Sequence, residues 1–574
     1  MIKEIESAQK APTSRYEYWQ GEIPTGTGKS TYRFCLKDND TVTWYNALGP
    51  SQAESELNDF TLIPDFKTPD WLKNAIIYQI FVDRFCNGDP ANDVKSGEYT
   101  YEGKPTVQRA WGQSPLVSAT ESPSMTFYGG DLSGISSKLH YITDTVGANV
   151  IYLGPIFTSP SNHKYDTSDY DTVDKHFGTM QELQNLAAKL HSAHARLLLD
   201  GVFNHTGDTH FWFNKYNRQQ SRPGAFQSLS SPYKNFYTFS RWPKEYATFL
   251  DVKELPKLNF NSAQLRAKIY AAPDSVAQKY LQPPFNIDGW RLDAPQYVDG
   301  ALYQGSDNES HIIWQEFRDA VKKVSPHCAI LGEFWGDASA WTTGGEWDSA
   351  TNFEGFTKPV SEWITGKTYG GENSSMSVSE FDNWLRVTRA HYPVNVQQCL
   401  SNHLSNHDIQ RFAERSGGEP LKTALALCFQ MTYPGAPTIY YGDEYGMRGA
   451  GDPDDRRCFD WSKASLENDL VALTNKLTTL RKRYSCLRTG SFMTLKCDDT
   501  NNVYCYGRCD KQGRIAIALN NDDFEHEIQI PIEQLDALNG TFRDALSDKI
   551  YESRNGAVAA KIAGHRALIL VNEK

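Results

Sequence analysis

The 574-residue sequence predicts an α/β protein built on a closed (β/α)8 barrel, with a small β module before it and an antiparallel β-sandwich after it. In the central part of the chain, short apolar runs alternate with stretches of helical periodicity, which is typical of parallel strands connected by helices. Eight such runs occur, and this number favours a barrel over an open sheet. The runs lie at residues 75–82, 149–155, 196–203, 286–292, 329–331, 351–353, 398–400 and 438–441.

Residues 1–68 predict the small N-terminal β module. Alternating segments at 31–37 and 41–45 are typical of hairpin strands, and prolines between residues 64 and 69 mark a linker to the next domain. A module of this size has too small a core to be stable alone. We therefore expect it to pack against the barrel.

The barrel domain is predicted to span residues 69–487. The interval after the third strand is too long for a single helix, and residues 206–262 are rich in Phe, Tyr, Trp and Pro. We therefore expect residues 206–262 to form a subdomain inserted at the mouth of the barrel. Elsewhere between the strands, helical periodicity is clearest at residues 180–191, 263–270, 314–324 and 380–391.

The helical pattern ends near residue 488. From there on, short alternating or apolar segments are separated by turn residues, which predicts an antiparallel β-sandwich over residues 488–574. Its clearest strand segments lie at residues 502–506, 514–519, 527–530 and 567–571.

The formal net charge of −12 argues against a nucleic-acid partner, because phosphates would be repelled. It favours a neutral or cationic ligand. Aromatic residues make up 13% of the sequence, which suits the flat faces of sugar rings but equally suits a large core. No apolar run is long enough to cross a membrane, and the N-terminus lacks the apolar core of a signal peptide. The ten cysteines contain no Cys-x-x-Cys pair, so we expect reduced thiols in a cytoplasmic protein.

Acidic and histidine side chains follow several of the predicted barrel strands. Parallel barrels carry their reacting groups at the C-terminal ends of the strands, so these side chains are expected to meet at one mouth. They are Asp200 and His205 after the third strand, Arg291 and Asp293 after the fourth, Glu333 after the fifth, and His407 and Asp408 after the seventh.

Four of these strand ends resemble the four short regions of the α-amylase family, glycoside hydrolase family 13, and occur in the family's order. Two further stretches, Leu-Pro-Lys-Leu-Asn at 255–259 and the loop at 162–167, are similar to signatures of the neopullulanase, cyclomaltodextrinase and maltogenic amylase group. The resemblance implies a TIM barrel and an α-glucan oligosaccharide substrate. The four regions are residues 199–205, 288–293, 330–335 and 404–408.

The resemblance implies a retaining hydrolase that cleaves α-1,4 bonds, with α-1,6 bonds as a further possibility, in maltooligosaccharides, cyclodextrins or pullulan. A maltodextrin glucosidase that releases glucose and an α-glucan transglycosylase are the alternatives within the family. A non-catalytic sugar-binding protein or transporter partner is a remote alternative, because such relatives lack one or more of the three acids. This sequence contains all three, at Asp293, Glu333 and Asp408.

Each acid is assigned a role. Arg291 lies two positions before Asp293 on the same face of the strand, so it favours the ionised form that a nucleophile needs. Glu333 is followed by the bulky Phe334 and Trp335, and an apolar wall would favour the protonated form that a general acid needs. By resemblance, Asp408 binds the sugar hydroxyls and helps to distort the ring.

The resemblance also implies a set of substrate-binding residues. His205 and His407 would bind the sugar at the cleaved linkage, and Tyr165 would stack on it. Structural roles for the histidines, and a simple position on the rim for Tyr165, are the alternatives. The full predicted set is His163, Tyr165, Asp166, His205, Arg291, Trp335, His407, Asp452 and Arg456.

A metal site is predicted separately. The stretch from 87 to 93 places four oxygen-bearing side chains within seven residues, and the 128–131 stretch supplies another carboxylate. Oxygen donors at this density suit calcium, although a polar turn has the same composition. By resemblance to the group, a structural Ca²⁺ would be held at Asn87, Asp89, Asn92, Asp93, Gly129 and Asp131.

Two departures of the sequence from the group bear on its architecture. Members usually carry a longer N-terminal β domain that helps to close the active site through a dimer, and the corresponding region is about half as long here. The sequence therefore leaves both a monomer and a dimer open. The interval between Asp293 and Glu333 is also stretched, which predicts an extra loop at residues 300–309.

Overall fold

The computed structural model describes residues 28–217, 222–299, 307–535, 537 and 539–573. Residues 1–27 of the predicted N-terminal module lie outside the described residues. So do residues 300–306 of the predicted extra loop, whereas a helix already begins at Asp307.

Eight parallel strands form the barrel and are numbered β1 to β8 along the chain. Each pairs with its sequence neighbour from β1 to β6, and β8 lies between β1 and β7. A parallel bridge between Thr351 and Ser401 joins β6 to β7 and closes the circle. The predicted barrel is therefore confirmed. Its strands are Ile77–Ile80, Val150–Leu153, Arg196–Gly201, Gly289–Leu292, Ala329–Gly332, Ser349–Ala350, Ser401–His403 and Ala436–Tyr440.

Alternation along the strands separates the interior of the barrel from the surrounding layer of helices. In β2, Val150 and Tyr152 belong to a cluster inside the barrel, whereas Ile151 and Leu153 belong to the large core under the helices. Successive side chains of a strand point to opposite faces, so both faces of β2 are apolar and buried. This explains why the strand appears in the sequence as a continuous apolar run.

The predicted positions of β6 and β7 were wrong by two to three residues. Residues 351–353 were expected to form β6, but β6 is Ser349–Ala350 and Phe353 already begins a π-helical turn. Residues 398–400 were expected to form β7, but β7 is Ser401–His403. All three residues of β7 are buried although they are polar, so a search for apolar runs overlooks them.

The predicted helices are present with shifted bounds. Met180–Ser192 and Val378–Ala390 both begin with a capping box, which fixes their first residue. The helix expected at 263–270 is divided into an α-helical turn and a following π-helical turn, and the one expected at 314–324 begins seven residues earlier, at Asp307. The α-helices are Leu132–Ser137, Met180–Ser192, Ala263–Arg266, Val276–Lys279, Asp307–Val324, Lys358–Thr365, Val378–Ala390, Val394–Gln397, Phe412–Arg415, Pro420–Thr432, Asp469–Arg483 and Ser485–Thr489. Within the described residues, none of the helices combines the length and apolarity that crossing a membrane requires.

After β3 the chain forms a segment of short antiparallel pairs rather than a single helix. Thr248–Phe249 pairs with Val252–Pro256, and an isolated bridge between His205 and Lys257 attaches this pair to the end of β3. The bridge places the segment at the mouth of the barrel. The boundaries 206–262 remain a prediction.

The two flanking modules are both β structures. In the first, Phe34–Asp38, Thr41–Asn46 and Gly49–Ser51 form an antiparallel sheet, and Ser30–Tyr32 pairs with Phe60–Leu62. The described part of the C-terminal segment is one eight-stranded antiparallel sheet that folds around its own apolar core, with its two outermost strands in contact. Its strands are Ser491–Asp498, Val503–Cys509, Arg514–Asn520, His526–Pro531, Gly540–Asp544, Ile550–Arg554, Ala557–Ile562 and Arg566–Glu573.

Candidate active site

The register of β4 and β5 brings two acids together at the mouth of the barrel. Leu292 of β4 lies beside Gly332 of β5, so the residues that follow them, Asp293 and Glu333, leave the two strands side by side. Arg291 lies one position before Leu292 and therefore points to the same face as Asp293. Because β4 pairs with β3, the same register places Arg291 beside Asp200.

One guanidinium group contacts three carboxylates in this cluster. Nη1 of Arg291 donates to both carboxylate oxygens of Asp200, at 2.9 and 3.0 Å, and to Oδ1 of Asp293 at 3.0 Å. Nη2 of Arg291 lies 3.0 Å from Oε2 of Glu333. Asp293 and Glu333 are therefore held by the two terminal nitrogens of the same side chain.

Glu333 is surrounded by hydrogen-bond donors rather than by an apolar wall. The backbone N–H of Ala294 donates to its Oε2, and Nε1–H of Trp335 donates to its Oε1, each at 3.0 Å. Phe334 instead packs against Trp341 in the outer core, because successive residues point in opposite directions. The predicted apolar wall is thus replaced by one indole, one peptide group and the cation of Arg291.

The sequence predicted that Arg291 favours the ionised form of Asp293, but in the structure the pKa of Asp293 is raised. Burial raises the pKa of Asp293 well above its usual value, and Arg291 opposes this shift without cancelling it. One cation serves several carboxyl groups, so the cluster retains a proton more readily than an isolated carboxylate does. The neighbouring charges that reinforce the upward shift are those of Glu333, Asp200 and Asp408.

Asp408 lies at the rim of the same mouth. Its side chain is 30% exposed, and it contacts Nε2 of His407 at 3.3 Å and Nη2 of Arg456 at 3.4 Å. Arg456 also lies 3.1 Å from Oδ1 of Asp452 and donates from Nε to the carbonyl oxygen of His407 at 2.8 Å. The predicted pair of Asp452 and Arg456 is therefore connected directly to the third acid.

Tyr165 links the floor of the site to the rim. Its hydroxyl group donates to Oδ2 of Asp200 at 2.9 Å and lies 2.6 Å from Nε2 of His407. Its ring lies parallel to that of His407, with centroids 5.3 Å apart. Tyr165 was expected to stack on a sugar, and this stays a prediction; in the structure one face of its ring packs on His407. The ring is only half-buried, so part of it remains accessible.

The two predicted histidines are both buried and neutral. Burial lowers the pKa of His205 to about 4, and burial together with the cations Arg456 and Arg291 lowers that of His407 well below its usual value. The ring of His205 stacks on Phe249 at 4.8 Å, and its Nε2 has no hydrogen-bond partner among the described residues. This nitrogen is available to a ligand hydroxyl group.

The remaining predicted binding residues occupy different positions. The rings of His163 and Tyr165 stack with centroids 6.0 Å apart, and the indole of Trp335 stacks on Phe353 at 4.3 Å. Asp166 is buried, and its Oδ1 accepts hydrogen bonds from two serine hydroxyl groups of its own loop, those of Ser159 and Ser161. Asp166 therefore fixes the shape of the loop.

Two residues of the site were missed by the sequence analysis. The hydroxyl group of Tyr152 donates to Oδ2 of Asp200 at 2.5 Å, and Gln79 bonds Nδ1 of His407 at 3.0 Å. Both occupy inward-facing positions of buried strands, β2 and β1. A polar side chain at an inward position of an otherwise apolar run was the signal that could have revealed them.

The predicted metal donors fall into two groups. Asn87 donates to Oδ1 of Asp93 at 2.7 Å, and Oδ1 of both Asn87 and Asn92 is buried without a partner among the described residues. Gly129 has a φ of +83°, and a Cβ at this position would lie 2.2 Å from Oδ1 of Asp93. The backbone of Gly129 therefore lies directly against the carboxylate of Asp93. Asn87, Asp93 and Gly129 thus lie against one another, whereas the side-chain amide of Asn92 donates to Oδ2 of Asp131 at 3.3 Å and connects the two groups.

The carboxylates of Asp131 and Asp89 already have hydrogen-bond partners. Asp131 caps the helix Leu132–Ser137 by accepting from the backbone N–H of Gly134, and it also accepts from Gly88 and Asp89. Asp89 is exposed and accepts from the N–H of Ala91. In the part of the chain that the structure describes, no three His, Cys, Asp or Glu side chains converge as a metal site. Amide and backbone oxygens would therefore supply most of the ligands.

Comparisons with known proteins point to one family. Residues 79–490 match the catalytic domain of α-amylase. The cyclomaltodextrinase of Geobacillus thermopakistaniensis (strain MAS1) is 34% identical over 533 residues, covering 90% of this chain and 82% of that protein. Neopullulanase 2 of Thermoactinomyces vulgaris is 32% identical over 572 residues, covering 97% of this chain and 89% of that protein. A solved structure of a cyclomaltodextrinase superposes with a TM-score of 0.77 at 28% identity, over 99% of this chain and 91% of that one.

Proposed function

This chain belongs to the α-amylase family, and on that premise we propose that it is a retaining α-glucan hydrolase. Its substrates would be maltooligosaccharides, cyclodextrins or pullulan, cleaved at α-1,4 bonds. The observation that carries the proposal is the placement of Asp293 and Glu333 on the two terminal nitrogens of Arg291. Two adjacent carboxyl groups at one mouth are what a double-displacement mechanism needs.

In this mechanism, Glu333 donates its proton to the glycosidic oxygen while a carboxylate oxygen of Asp293 attacks the anomeric carbon. The bond between that carbon and the leaving oxygen breaks, and a glycosyl ester forms on Asp293. Glu333, now ionised, removes a proton from water, and the resulting hydroxide attacks the same carbon and releases Asp293. The two inversions retain the anomeric configuration. Arg291 compensates the negative charge that changes position between the two acids.

The other side chains of the mouth would bind the sugar at the cleaved bond. Asp408 is the most exposed of the three acids and can receive hydroxyl protons of the substrate. Nδ1 of His205 accepts from the side-chain amide of Asn204, so its Nε2, unpartnered within the described chain, carries the proton and can donate to a hydroxyl oxygen of the substrate. Asp452 and Arg456 would extend this surface along the rim. Contacts that strengthen as the sugar ring flattens contribute to the rate rather than to binding alone.

Product analysis tests this proposal. We expect maltotriose, β-cyclodextrin and pullulan to give short maltooligosaccharides, and the first product seen by NMR to be the α-anomer. Release of glucose alone from the non-reducing end would favour a maltodextrin glucosidase. Products longer than the substrate would favour a transglycosylase, and cleavage at both linkages of pullulan would add α-1,6 bonds to the substrates. A protein that binds all three glucans without cleaving them would contradict the proposal.

Replacing Tyr165 by Phe is expected to lower kcat/KM on maltotriose by roughly 10- to 100-fold, since a lost hydrogen bond to a charged group is worth about 1.5–3 kcal/mol. The change removes the hydroxyl group that links Asp200 to His407. Tyr280→Phe is the matched control, because it removes a buried hydroxyl group that donates to the carbonyl oxygen of Tyr170, away from the mouth. Equal kcat/KM values in the two variants would contradict this role for Tyr165.

We also propose a structural Ca²⁺ held at the loop 87–93. The unpartnered Oδ1 atoms of Asn87 and Asn92, the carboxylate of Asp93 and the backbone of Gly129 fit a cation that prefers oxygen ligands. Asp89 and Asp131 would complete the set by reorienting or by sharing their hydrogen-bonded oxygens. When bound, the ion would supply a cross-link between two loops. The catalytic acids are not among its ligands.

Chelation should therefore lower the melting temperature and leave the chemistry intact. A ligand present at about 100 times its dissociation constant stabilises a fold by roughly 2.7 kcal/mol, so we expect the Tm measured by calorimetry to fall by a few degrees in EDTA. Adding Ca²⁺ should restore it and adding Mg²⁺ should not. Asp93→Asn should abolish the response to both EDTA and Ca²⁺. A wild-type Tm that is the same with EDTA and with Ca²⁺ would exclude the site.

We further propose that the protein works in the cytoplasm. All ten cysteines are unpaired thiols in the structure, and seven of them are buried, which suits a reducing compartment. Alkylation of the protein in freshly lysed cells should label ten free thiols after denaturation. A native disulfide found in this experiment would contradict the proposed location.

A further inference from the structure

His403, the last residue of β7, is a buried histidine with one free acceptor. Its side chain is 2% exposed, and burial lowers its pKa to about 3, so the imidazole is neutral. A hydrogen bond to the backbone of Ser401 favours the charged form, which means that the ring donates a proton there. The second nitrogen, Nε2, is therefore an acceptor, and it has no partner among the described residues.

Arg291 has a complementary free donor. Its contacts with Asp200, Asp293 and Glu333 all use the terminal nitrogens Nη1 and Nη2. A guanidinium group has five N–H bonds, one of them on Nε. Nε of Arg291 takes part in none of these three contacts, so its N–H remains a donor for a ligand inside the barrel.

His403 and Arg291 line the same cavity inside the barrel. The cavity measures about 20 Å³ and lies below the mouth. One water molecule needs about 10–15 Å³ measured in this way, together with two to four polar partners. Hydroxyl groups supply further partners on the same walls. These hydroxyl groups belong to Tyr152, Thr351, Ser401 and Thr438.

We propose that this cavity is a binding site for a single water molecule, which accepts a hydrogen bond from Arg291 and donates one to Nε2 of His403. The water satisfies the buried acceptor of His403, which has no partner among the described residues, and this is the usual role of internal water. It connects β7 to the cation that holds both catalytic acids on β4 and β5. His403 is therefore a positioning residue, which acts on Asp293 and Glu333 through the water and Arg291.

The water site itself does not depend on the proposed function, whereas its effect on turnover does. His403 is not among the residues proposed to contact the sugar, so loss of the water should disturb the orientation of Arg291 without removing a substrate contact of His403. We therefore expect the effect to appear in kcat and not in KM. This separation distinguishes a positioning role from a binding role.

His403→Leu, His403→Gln and His210→Leu form the test set. Leu removes the acceptor, whereas Gln keeps a side-chain oxygen at similar reach. His210 is the control, because it is also buried, also has an unpartnered Nε2 and also has a pKa lowered by burial to about 3, but it does not line the cavity. Both leucine variants should lose comparable stability, so stability alone does not decide the outcome.

On maltotriose, we expect His403→Leu to lower kcat by about ten-fold relative to His210→Leu with KM changed less than two-fold, as loss of about one hydrogen bond predicts. His403→Gln should restore most of the loss. Equal kcat values for the two leucine variants, or a glutamine variant as slow as the leucine variant, would overturn the positioning role.

A crystal structure of the wild-type protein tests the site without reference to activity. Electron density for one water within hydrogen-bond distance of Nε2 of His403 and of Arg291 is expected, and the same density should be missing in His403→Leu. A wild-type cavity without such density would overturn the proposal, whether or not the protein hydrolyses glucans. Density together with an inactive wild-type enzyme would instead retain the water site and reject the proposed function.

Discussion

Replacing Asp293 by Asn is expected to lower kcat on maltotriose by roughly 10⁴- to 10⁶-fold, which is the range found when a covalent nucleophile is removed. An amide is a very poor nucleophile towards the anomeric carbon, so no glycosyl ester forms. The shape of the side chain is retained, and its oxygen can still accept from Nη1 of Arg291. Calorimetry should therefore find the affinity for maltotriose and the Tm close to those of the wild type.

The control for this variant is Asp288→Asn, at the opposite end of the same strand. Asp288 accepts from Arg196, His191 and the backbone of Leu197, so its replacement also breaks ion pairs, although these are only partly buried. It lies at the end of the barrel away from the mouth, and we expect it to reduce stability while kcat remains within about three-fold of the wild type. If Asp293→Asn kept more than about 1% of the wild-type kcat, covalent catalysis by Asp293 would be excluded.

The catalytic pair could be predicted from the sequence because β4 and β5 are apolar runs that end in acids. Once two parallel strands are recognised, the residues just past their ends are expected to be neighbours, and the observed register makes Asp293 and Glu333 adjacent. The same reasoning failed for β7, whose buried residues are all polar. Ser401 is held by a hydrogen bond to the hydroxyl group of Thr438 on β8, a contact that only the folded barrel provides.

The surroundings of the acids were predicted less well than the acids themselves. Phe334 and Trp335 both follow Glu333, but the alternation of side chains allows only one of them to face it, and Trp335 contributes an N–H rather than an apolar face. The sequence likewise showed no sign that Arg291 also contacts Glu333. That contact forms because a residue 42 positions away packs beside Arg291 in the barrel. Local sequence cannot reveal such shared partners.

Glu333→Gln should separate the two chemical steps that the proposed mechanism assigns to Glu333. Hydrolysis of maltotriose should fall by roughly 10³- to 10⁵-fold, because a general acid contributes about 10²–10⁴ and the same group also serves as the base. In the glutamate, each carboxylate oxygen accepts one hydrogen bond, from Trp335 or from Ala294. The amide of glutamine has only one oxygen, so its NH2 group would face the N–H of the other residue, and that hydrogen bond is lost. We therefore also expect a loss of stability of about 1–3 kcal/mol, measured by denaturant unfolding.

A substrate whose leaving group needs no proton distinguishes Glu333 from Asp293. With α-maltosyl fluoride, Glu333→Gln should release about one equivalent of fluoride per enzyme rapidly and then turn over slowly, because the ester on Asp293 forms normally but lacks the base that activates water. Mass spectrometry of the intact protein should find one maltosyl group, and peptide mapping should place it on Asp293. Asp293→Asn should give neither the burst nor the adduct. A Glu333→Gln protein that hydrolyses maltotriose at the wild-type rate would remove Glu333 from both steps, and an adduct on another residue would transfer the role of nucleophile to that residue.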